Sequence, residues 1–582
     1  MLINIAAAGL LNWLSNKPID VGNDAPDGKL SSLSFAPFRD GEDPLQKHKP
    51  SPQNIAEDLQ LLADKTHSIR TYSSVDGMEV IPALARQYGL TLTQGAWLNY
   101  DEDVDPATLS DSKRKELLKA KQSNALEIAA LIESANANPD VVKRVIVGNE
   151  VLLRGDMPSE LLVKYIRQVK QAIKQPVSYA DVWSFYLKHP EVAKEVDYIT
   201  IHILPYWEDE PLEVNAAIDH IEKIYRQVYD QVNAMYPGKP ILIGESGWPS
   251  HGRQRGWAIP GVVNEARFVR GLIQVADKNG FDLNIVEAFN QPWKSALEGV
   301  VGANWGLFSA DRKPVFPLTG PVIENSGWHA VWMAASLLLL ALAVYFYKSV
   351  NTITLKRMIF WIFVMQILSY LWVSQIVELW QTSFNSGEKF YALTVIIFSA
   401  VLLLLLLRRL LDVLSLRATK TWVSMALRYL FGLAVFLMIY KTSALAINGR
   451  YLSFPNFETS IAIAGIFALA LAHWFIDSLR SLNDLDFNKL VGNTCIDRRL
   501  DKRIGIALML LCLSLIAGET YAFVVSRDFS HDHPDFFRRL WLSLRYTLEN
   551  CQLDLWLAGL LAMAVPFWSS GRQPDLAVCE VK

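Results

Sequence analysis

Glu150 and Glu245 are the residues of this chain best placed to do chemistry. Glu245 closes the run Pro240-Ile-Leu-Ile-Gly-Glu-Ser-Gly-Trp-Pro249. Ile241 to Gly244 are apolar or lack a side chain and do not alternate, as in a strand buried on both faces. Glu245 then stands at the C-terminal end of that strand, followed by a loop carrying Trp248. Glu150 ends a similar run, Val142-Lys-Arg-Val-Ile-Val-Gly-Asn-Glu150, which breaks at Gly148. Two carboxyl groups about 5 Å apart can cleave a glycosidic bond with retention, one as nucleophile and one as proton donor. The bland alternative is a surface glutamate after an edge strand. The two residues lie 95 positions apart, so only a fold that gathers the ends of different strands can unite them. A closed barrel does that for all of its strands.

The rest of the first half supplies such a set. Candidate strands cover residues 33–36, 67–70, 90–95, 144–147, 176–179, 198–201, 240–244 and 283–288. Helical periodicity fills 55–64, 78–88, 112–135, 159–174, 214–236 and 262–278. Eight strands with helical connections predict a (β/α)8 TIM barrel rather than an open doubly wound sheet. No Gly-rich phosphate loop follows the first strand, which lowers the dinucleotide-fold alternative further.

In a barrel the strand ends share one cleft, and these ends are rich in sugar-binding side chains. In chain order they bring Arg70 and Tyr72, Trp97, Asn149, Trp183, and His202 with Tyr206. The last two strands add Trp248, and then Glu287, Gln291, Trp293 and Lys294. Indole rings stack on the apolar faces of sugars, while hydroxyls need amide, guanidinium, imidazole and carboxylate partners. Each Trp alone is as well explained by core filling, and recurrence is what points to a saccharide groove. His202 has two readings, one orienting a carboxylate and one filling a strand end. Trp305 and Phe308 are read as packing under the last strand. No metal-ligand cluster stands out, and this chemistry needs neither metal nor cofactor.

Ile243-Gly-Glu-Ser-Gly-Trp-Pro249 closely resembles the nucleophile signature of glycoside hydrolase family 17, the β-1,3-glucan-active (β/α)8 enzymes. Gly148-Asn-Glu150 resembles that family's acid/base segment, and the likeness runs roughly from Leu33 to Pro317. The resemblance implies Glu245 as nucleophile, Glu150 as general acid/base, and Asn149 against the hydroxyl next to the reacting carbon. Two stretches depart from the plant pattern. Gln291 stands where strand eight often has a carboxylate, and strand one ends Phe35-Ala-Pro-Phe38. Both fit a membrane-attached bacterial branch that resembles glucan-remodelling transferases as much as hydrolases. The implied partners are a β-glucan polysaccharide or oligosaccharide and, as a candidate, a glucan synthase. A non-catalytic glucan-binding or glucan-export scaffold is the competing function.

The second half is a different material. Runs of Leu, Ala, Ile, Val and Phe give seven apolar segments, at about 328–347, 359–379, 390–407, 425–446, 459–476, 504–525 and 550–568. The chain of 582 residues therefore divides into 1–29, 30–320 and 321–582, the last a polytopic all-α transmembrane domain in a lipid bilayer. Lys and Arg collect in the loops after spans one, three and five (Lys348, Lys356 and Arg357; Arg408, Arg409, Arg417 and Lys420; Arg480, Lys489, Arg498, Arg499, Lys502 and Arg503). The positive-inside rule then puts the barrel outside the cytoplasm, on the periplasmic face of an inner membrane, with the C-terminus inside. Glu378, Lys441, Glu519 and Asp554 map to the outer parts of their helices, where ion pairing or interfacial placement is expected. Met1 to Leu14 reads either as the remainder of a signal-anchor helix or as a peripheral apolar helix, with a polar linker over 16–29. The four cysteines, Cys495, Cys512, Cys551 and Cys579, all lie in the second half, so the barrel folds without disulfides. A net charge of −3 is too small to suggest a nucleic-acid partner, and no basic tract supports one. Nothing resembles an ATP or nucleotide-sugar site, which argues against polymer synthesis.

Overall fold

Eight parallel strands close into one barrel in the computed structural model of the chain. They are β1 (Leu33–Ser34), β2 (Ser68–Arg70), β3 (Thr91–Ala96), β4 (Val142–Asn149), β5 (Val177–Val182), β6 (Ile199–His202), β7 (Ile241–Ser246) and β8 (Asp282–Ile285). Leu33 pairs with Ile69 on one side and Ile285 on the other, which closes the ring. Each predicted strand overlaps an observed one, but β8 stops early. Beyond it the backbone turns to a new partner. The Glu287 N–H donates to the Trp305 carbonyl at 3.1 Å and the Leu307 N–H donates to the Glu287 carbonyl at 2.9 Å, so 305–308 pair with the chain that follows β8. Description covers residues 1–46, 49–350, 353–476, 484–492 and 498–570. Arg480, Cys495 and Cys579 lie outside the described residues.

The barrel's helices are α2 (Pro52–Leu62), α3 (Ile81–Gln87), α4 (Asp111–Ala137), α5 (Val151–Arg154), α6 (Ser159–Ala172), α7 (Trp183–Lys188), α8 (Pro190–Glu195), α9 (Val214–Met235), α10 (Val262–Asn279) and α11 (Ser295–Gly302); α1 (Leu2–Ser15) precedes them. The long ones follow the apolar periodicity, as in α6, where Leu162, Val163, Ile166 and Val169 face inward. Four short helices, α5, α7, α8 and α11, span too few turns to leave a periodic signature. Strand residues such as Val145, Val147, Ile199, Ile201 and Ile243 are buried in one continuous core. Each such side chain contributes about 1.5–3 kcal/mol on burial.

One layer inside the barrel is polar, and Gly244 makes room for it. A Cβ at 244 would lie 2.3 Å from Thr200 Cγ2 and 3.5 Å from Arg70 Nη1. Asn284 Nδ2 donates to the Gly244 carbonyl at 2.9 Å and to Ser34 Oγ at 2.8 Å. The guanidinium of Arg70 occupies the remaining space.

The chain divides into two compact units. One comprises Pro18–Gly252 and Ala258–Glu324 and holds the barrel. Residues 18–29, read as a linker, cluster with it: Ile19 and Val322 exchange backbone bonds of 2.8 and 2.9 Å.

The other unit comprises Met1–Lys17, Arg253–Trp257 and Asn325–Lys582. Its helices are α12 (Trp328–Val350), α13 (Leu355–Gln381), α14 (Ser386–Leu414), α15 (Thr421–Asn448), α16 (Ser460–Phe475), α17 (Phe487–Val491), α18 (Arg498–Val524), α19 (Arg527–Asp532), α20 (Phe536–Leu548) and α21 (Cys551–Ser570). Six of them, α12–α15, α18 and α21, are long and apolar enough to cross a membrane among the described residues. The segment read as a fifth span forms α16, an apolar helix of 16 residues, so the sevenfold expectation resolves into six long helices and a short one. Backbone polarity explains the difference, because an apolar run says nothing of where its hydrogen-bonded helix begins. α1 is tied sideways to this unit: Trp332 Nε1 donates to the Ile5 carbonyl at 3.0 Å and Tyr370 Oη to Asn12 Oδ1 at 2.7 Å. Of the four charges expected at the ends of the apolar segments, Lys441 pairs with Glu458 at 3.1 Å.

Candidate active site

Glu245 is carried by β7 itself, with ordinary strand geometry, and is 8% exposed. Arg70, at the end of β2 and 1% exposed, reaches across the barrel to it. Its Nη1 donates to Glu245 Oε1 at 2.9 Å and to the Gly244 carbonyl at 2.8 Å, and its Nη2 donates to Asn149 Oδ1 at 2.6 Å. One planar guanidinium thus fixes a carboxylate and an amide on two different strands.

Glu150 is held quite differently. It follows β4 in the left-handed region, φ 53° and ψ 30°, and opens the short helix α5. Such a conformation costs a non-glycine residue about 1–3 kcal/mol and persists only where the surroundings impose it. Gly148, with φ +84°, sets up the turn. The Glu150 side chain is 24% exposed, against 10% for Glu245, so it faces the open side of the cleft.

His202, at the end of β6 and fully buried, joins the two. Its Nδ1 lies 2.9 Å from Glu150 Oε1 and its Nε2 lies 3.5 Å from Glu245 Oε1. One oxygen of each carboxylate and a ring nitrogen of His202 all lie within 4.8 Å of one another. The imidazole therefore takes the carboxylate-orienting role of its two readings.

Burial pushes the Glu150 carboxyl up, but the His202 hydrogen bond and the charges of His202, Arg154 and Arg70 outweigh it and hold the group below the usual carboxylate range. Deeper under β8, burial raises Glu287 to about 7 despite its 3.0 Å pair with Lys294. Glu150, His202 and Glu245 are also close enough to ligate a cation. The Arg70 guanidinium already bonds the Glu245 oxygen they would share, and its fixed positive charge disfavours a metal there.

The other expected residues divide into two groups. Tyr72 lies under Arg70, whose guanidinium carbon sits 4.9 Å from the ring centre, and burial and then Glu245 push its phenol well above its usual value. Trp97 is half-buried with Arg154 stacked on it at 4.5 Å. Trp183 is half-buried at the start of α7, and Trp293 is half-buried edge-on to Phe38 at 6.3 Å. These rings keep surface that a ligand can reach. Trp248 and Tyr206 do not, and here the expectation is corrected. Both are 0% exposed. Trp248 donates from Nε1 to the Ile259 carbonyl at 3.0 Å, and Tyr206 packs edge-on against Trp207, Trp248 and Trp305. They form the floor under the loop after β7, because an aromatic cluster gains more from burial than a lone ring gains at the rim. Gln291 is likewise a bracket rather than a sugar contact: it is 0% exposed, donates to the Ala36 and Phe289 carbonyls and accepts from Trp293 Nε1 at 2.8 Å. Glu287, 1% exposed, supports Lys294 from below.

Two neighbours of the site escaped the sequence reading. Arg154 donates to the carbonyls of Asn149 and Leu98. Glu298, on α11, is raised by burial and feels the charges of Lys294, Glu150 and Glu245. Arg154 follows Glu150 by four positions and precedes Gly155, a helix stop that was legible in principle. Glu298 offered no such signal.

The first half of the chain is similar to known proteins. Residues 32–306 match the profile of the BtgE/BtgC glycoside hydrolase domain. A glucan 1,3-beta-glucosidase of Arthroderma benhamiae is 26% identical over 279 residues, which are 45% of this chain and 83% of that protein. A glucan 1,3-beta-glucosidase of Schizosaccharomyces pombe is 26% identical over 268 residues, 42% of this chain and 75% of that protein. Among solved structures, the glycoside hydrolase family 17 beta-1,3-glucanosyltransferase of Rhizomucor miehei is 26% identical and covers 50% of this chain and 96% of its own, with a TM-score of 0.40.

Proposed function

Since residues 32–306 match the BtgE/BtgC glycoside hydrolase domain, we propose that the barrel works on β-1,3-glucan by retaining double displacement. Glu245 attacks the anomeric carbon while Glu150 protonates the departing oxygen. Glu150 then acts as base for the water or second glucan that takes up the glycosyl group. The observation that carries this reading is the approach of the two carboxylates within 4.8 Å, on strand ends that share His202. Inversion needs about 6.5–9.5 Å, to leave room for water between the groups.

The division of labour follows from the surroundings. Arg70 pairs with Glu245 and aims it, as an attacking oxygen must be aimed. Glu150 is the more exposed of the two and can meet a leaving group that departs toward solvent. His202 keeps it low, so a glycosyl oxygen that displaces that hydrogen bond is what would raise it for proton donation. The distribution of Lys and Arg between spans supports a barrel on the periplasmic face of an inner membrane, with the C-terminus cytoplasmic.

Azide tests both roles at once. Glu245→Ala with azide should yield the α-glycosyl azide, because azide takes the nucleophile's place. Glu150→Ala should yield the β-azide, because azide intercepts the glycosyl-enzyme. Reversed anomers would exchange the two roles, and no rescue at either position would remove them from the chemistry. Product lengths from β-1,3-glucan oligosaccharides then separate the acceptors: products longer than the substrate mean transfer, and shorter ones alone mean hydrolysis.

A further inference from the structure

Glu150 has to be kept in the left-handed region, and the structure has one device for it. β5 lies beside β4, and three consecutive β5 residues grip the turn around Glu150. The Ala180 carbonyl accepts from the Glu150 N–H at 2.8 Å. The phenol oxygen of Tyr179 accepts from the Leu152 N–H at 2.9 Å. Asp181 Oδ2 accepts from the Leu153 N–H at 3.3 Å and also takes the Tyr179 hydroxyl proton in a short hydrogen bond. Asp181 Oδ1 is anchored on its own strand by the Val182 N–H at 2.7 Å. Leu152 and Leu153 lie in the first turn of α5, whose N–H groups have no intrahelical partner. Both acceptors are buried, Tyr179 at 1% and Asp181 at 0% exposure, so water cannot replace either.

We propose that Tyr179 and Asp181 are positioning residues for Glu150, holding α5 and with it the carboxyl group over the bond to be broken. Neither reaches the cleft, and neither supports Glu245, whose partners are Arg70 and His202. The consequence is selective. Loosening the pair should misplace the proton donor and leave the nucleophile untouched. A buried pair with only a structural role would impair both alike.

The inference rests on Glu150 being the acid/base, and leaving-group dependence separates the two ideas. The full-length solubilised chain would be assayed as wild type, Tyr179→Phe, Asp181→Asn and Glu150→Gln, on β-1,3-glucan oligosaccharide and on a dinitrophenyl β-1,3-glucobioside. The dinitrophenolate departs without protonation, so formation of the glycosyl-enzyme, followed as the burst of dinitrophenolate, bypasses the acid. A misplaced catalytic group costs about 10²-fold. Tyr179→Phe and Asp181→Asn should therefore lose roughly 10- to 100-fold in kcat/KM on glucan. They should keep the dinitrophenolate burst within about 3-fold, as Glu150→Gln does. Equal losses on both substrates would overturn the positioning role in favour of a structural one, and unchanged activity on glucan would overturn it as well. Glu150→Gln losing the burst as fully as glucan turnover would instead sink the acid/base assignment, and this inference with it. Should Tyr179→Phe fold poorly, Asp181→Asn carries the test, since its amide oxygen keeps one acceptor in place.

Discussion

The ends of β4 and β7 carry the same residue type under opposite constraints. Glu245 stays within strand geometry, nearly buried, and is clamped by a guanidinium reaching across the barrel. Glu150 has left its strand, sits in a strained backbone conformation and answers to an imidazole and a neighbouring strand's side chains. One end is rigid because its charge is neutralised in place, and the other because its backbone is gripped from outside. Chemistry with two carboxylates needs this asymmetry, for a nucleophile must stay ionised and a proton carrier must change state. On the proposed mechanism, identical side chains become different reagents through what surrounds them.

The sharpest way to break the comparison is to remove each carboxylate. Glu245→Gln should lose about 10⁴-fold or more in kcat on every substrate, because no covalent intermediate forms. Glu150→Gln should lose about 10²–10⁴-fold on glucan, a range general acids typically cover. Steady-state assays at matched protein folding, checked by circular dichroism, read both. Equal profiles on all substrates would erase the asymmetry.

Arg70→Lys comes next. Lysine cannot bridge Glu245, the Gly244 carbonyl and Asn149 together, so kcat should fall about 10²-fold with a smaller change in KM. Gly244→Ala should act on the same clamp from behind, since its Cβ would press on Thr200, and should cost roughly 1–3 kcal/mol in thermal stability.

Glycine substitutions test the backbone side. Glu150→Gly removes a left-handed non-glycine residue, so its stability should stay within about 1 kcal/mol of wild type. Glu245→Gly leaves the buried Arg70 without its counter-charge and should lose roughly 3–5 kcal/mol. Chemical denaturation reads both, and similar losses would mean that Glu150 is not strained.

The smallest expected effect is a pH slope. Glu287, at about 7 in the fold, holds its proton where an unfolded glutamate near 4.5 has released it. Unfolding between those values releases a proton, so stability falls as pH rises from about 4.5 to about 7. Glu150, held low, slopes the other way: its contribution is present above about 4.5 and is lost as pH falls below it. Glu287→Gln should therefore flatten the decline in unfolding free energy toward neutral pH, by an amount on the order of 3 kcal/mol. An unchanged slope would return Glu287 to an ordinary carboxylate.

The sequence by itself determined the eight strands, the two glutamates and the change from barrel to apolar helices. Each of those signals is local: a β-branched run that breaks at glycine, a carboxylate just after it, a mostly apolar run of about twenty residues. Only the tertiary structure decided what each strand-end side chain faces. Trp248 and Trp97 read alike in sequence, yet one is sealed beneath a loop and the other keeps an open face. Gln291 and Glu287 look like sugar ligands and serve as brackets, because the chain after β8 folds back on 305–308. The grip of Tyr179 and Asp181 on α5 joins residues about 30 positions apart through backbone N–H groups. Main-chain donors are the same in every residue. No pattern of side chains announces which of them will be left without a partner, and folding alone settles it.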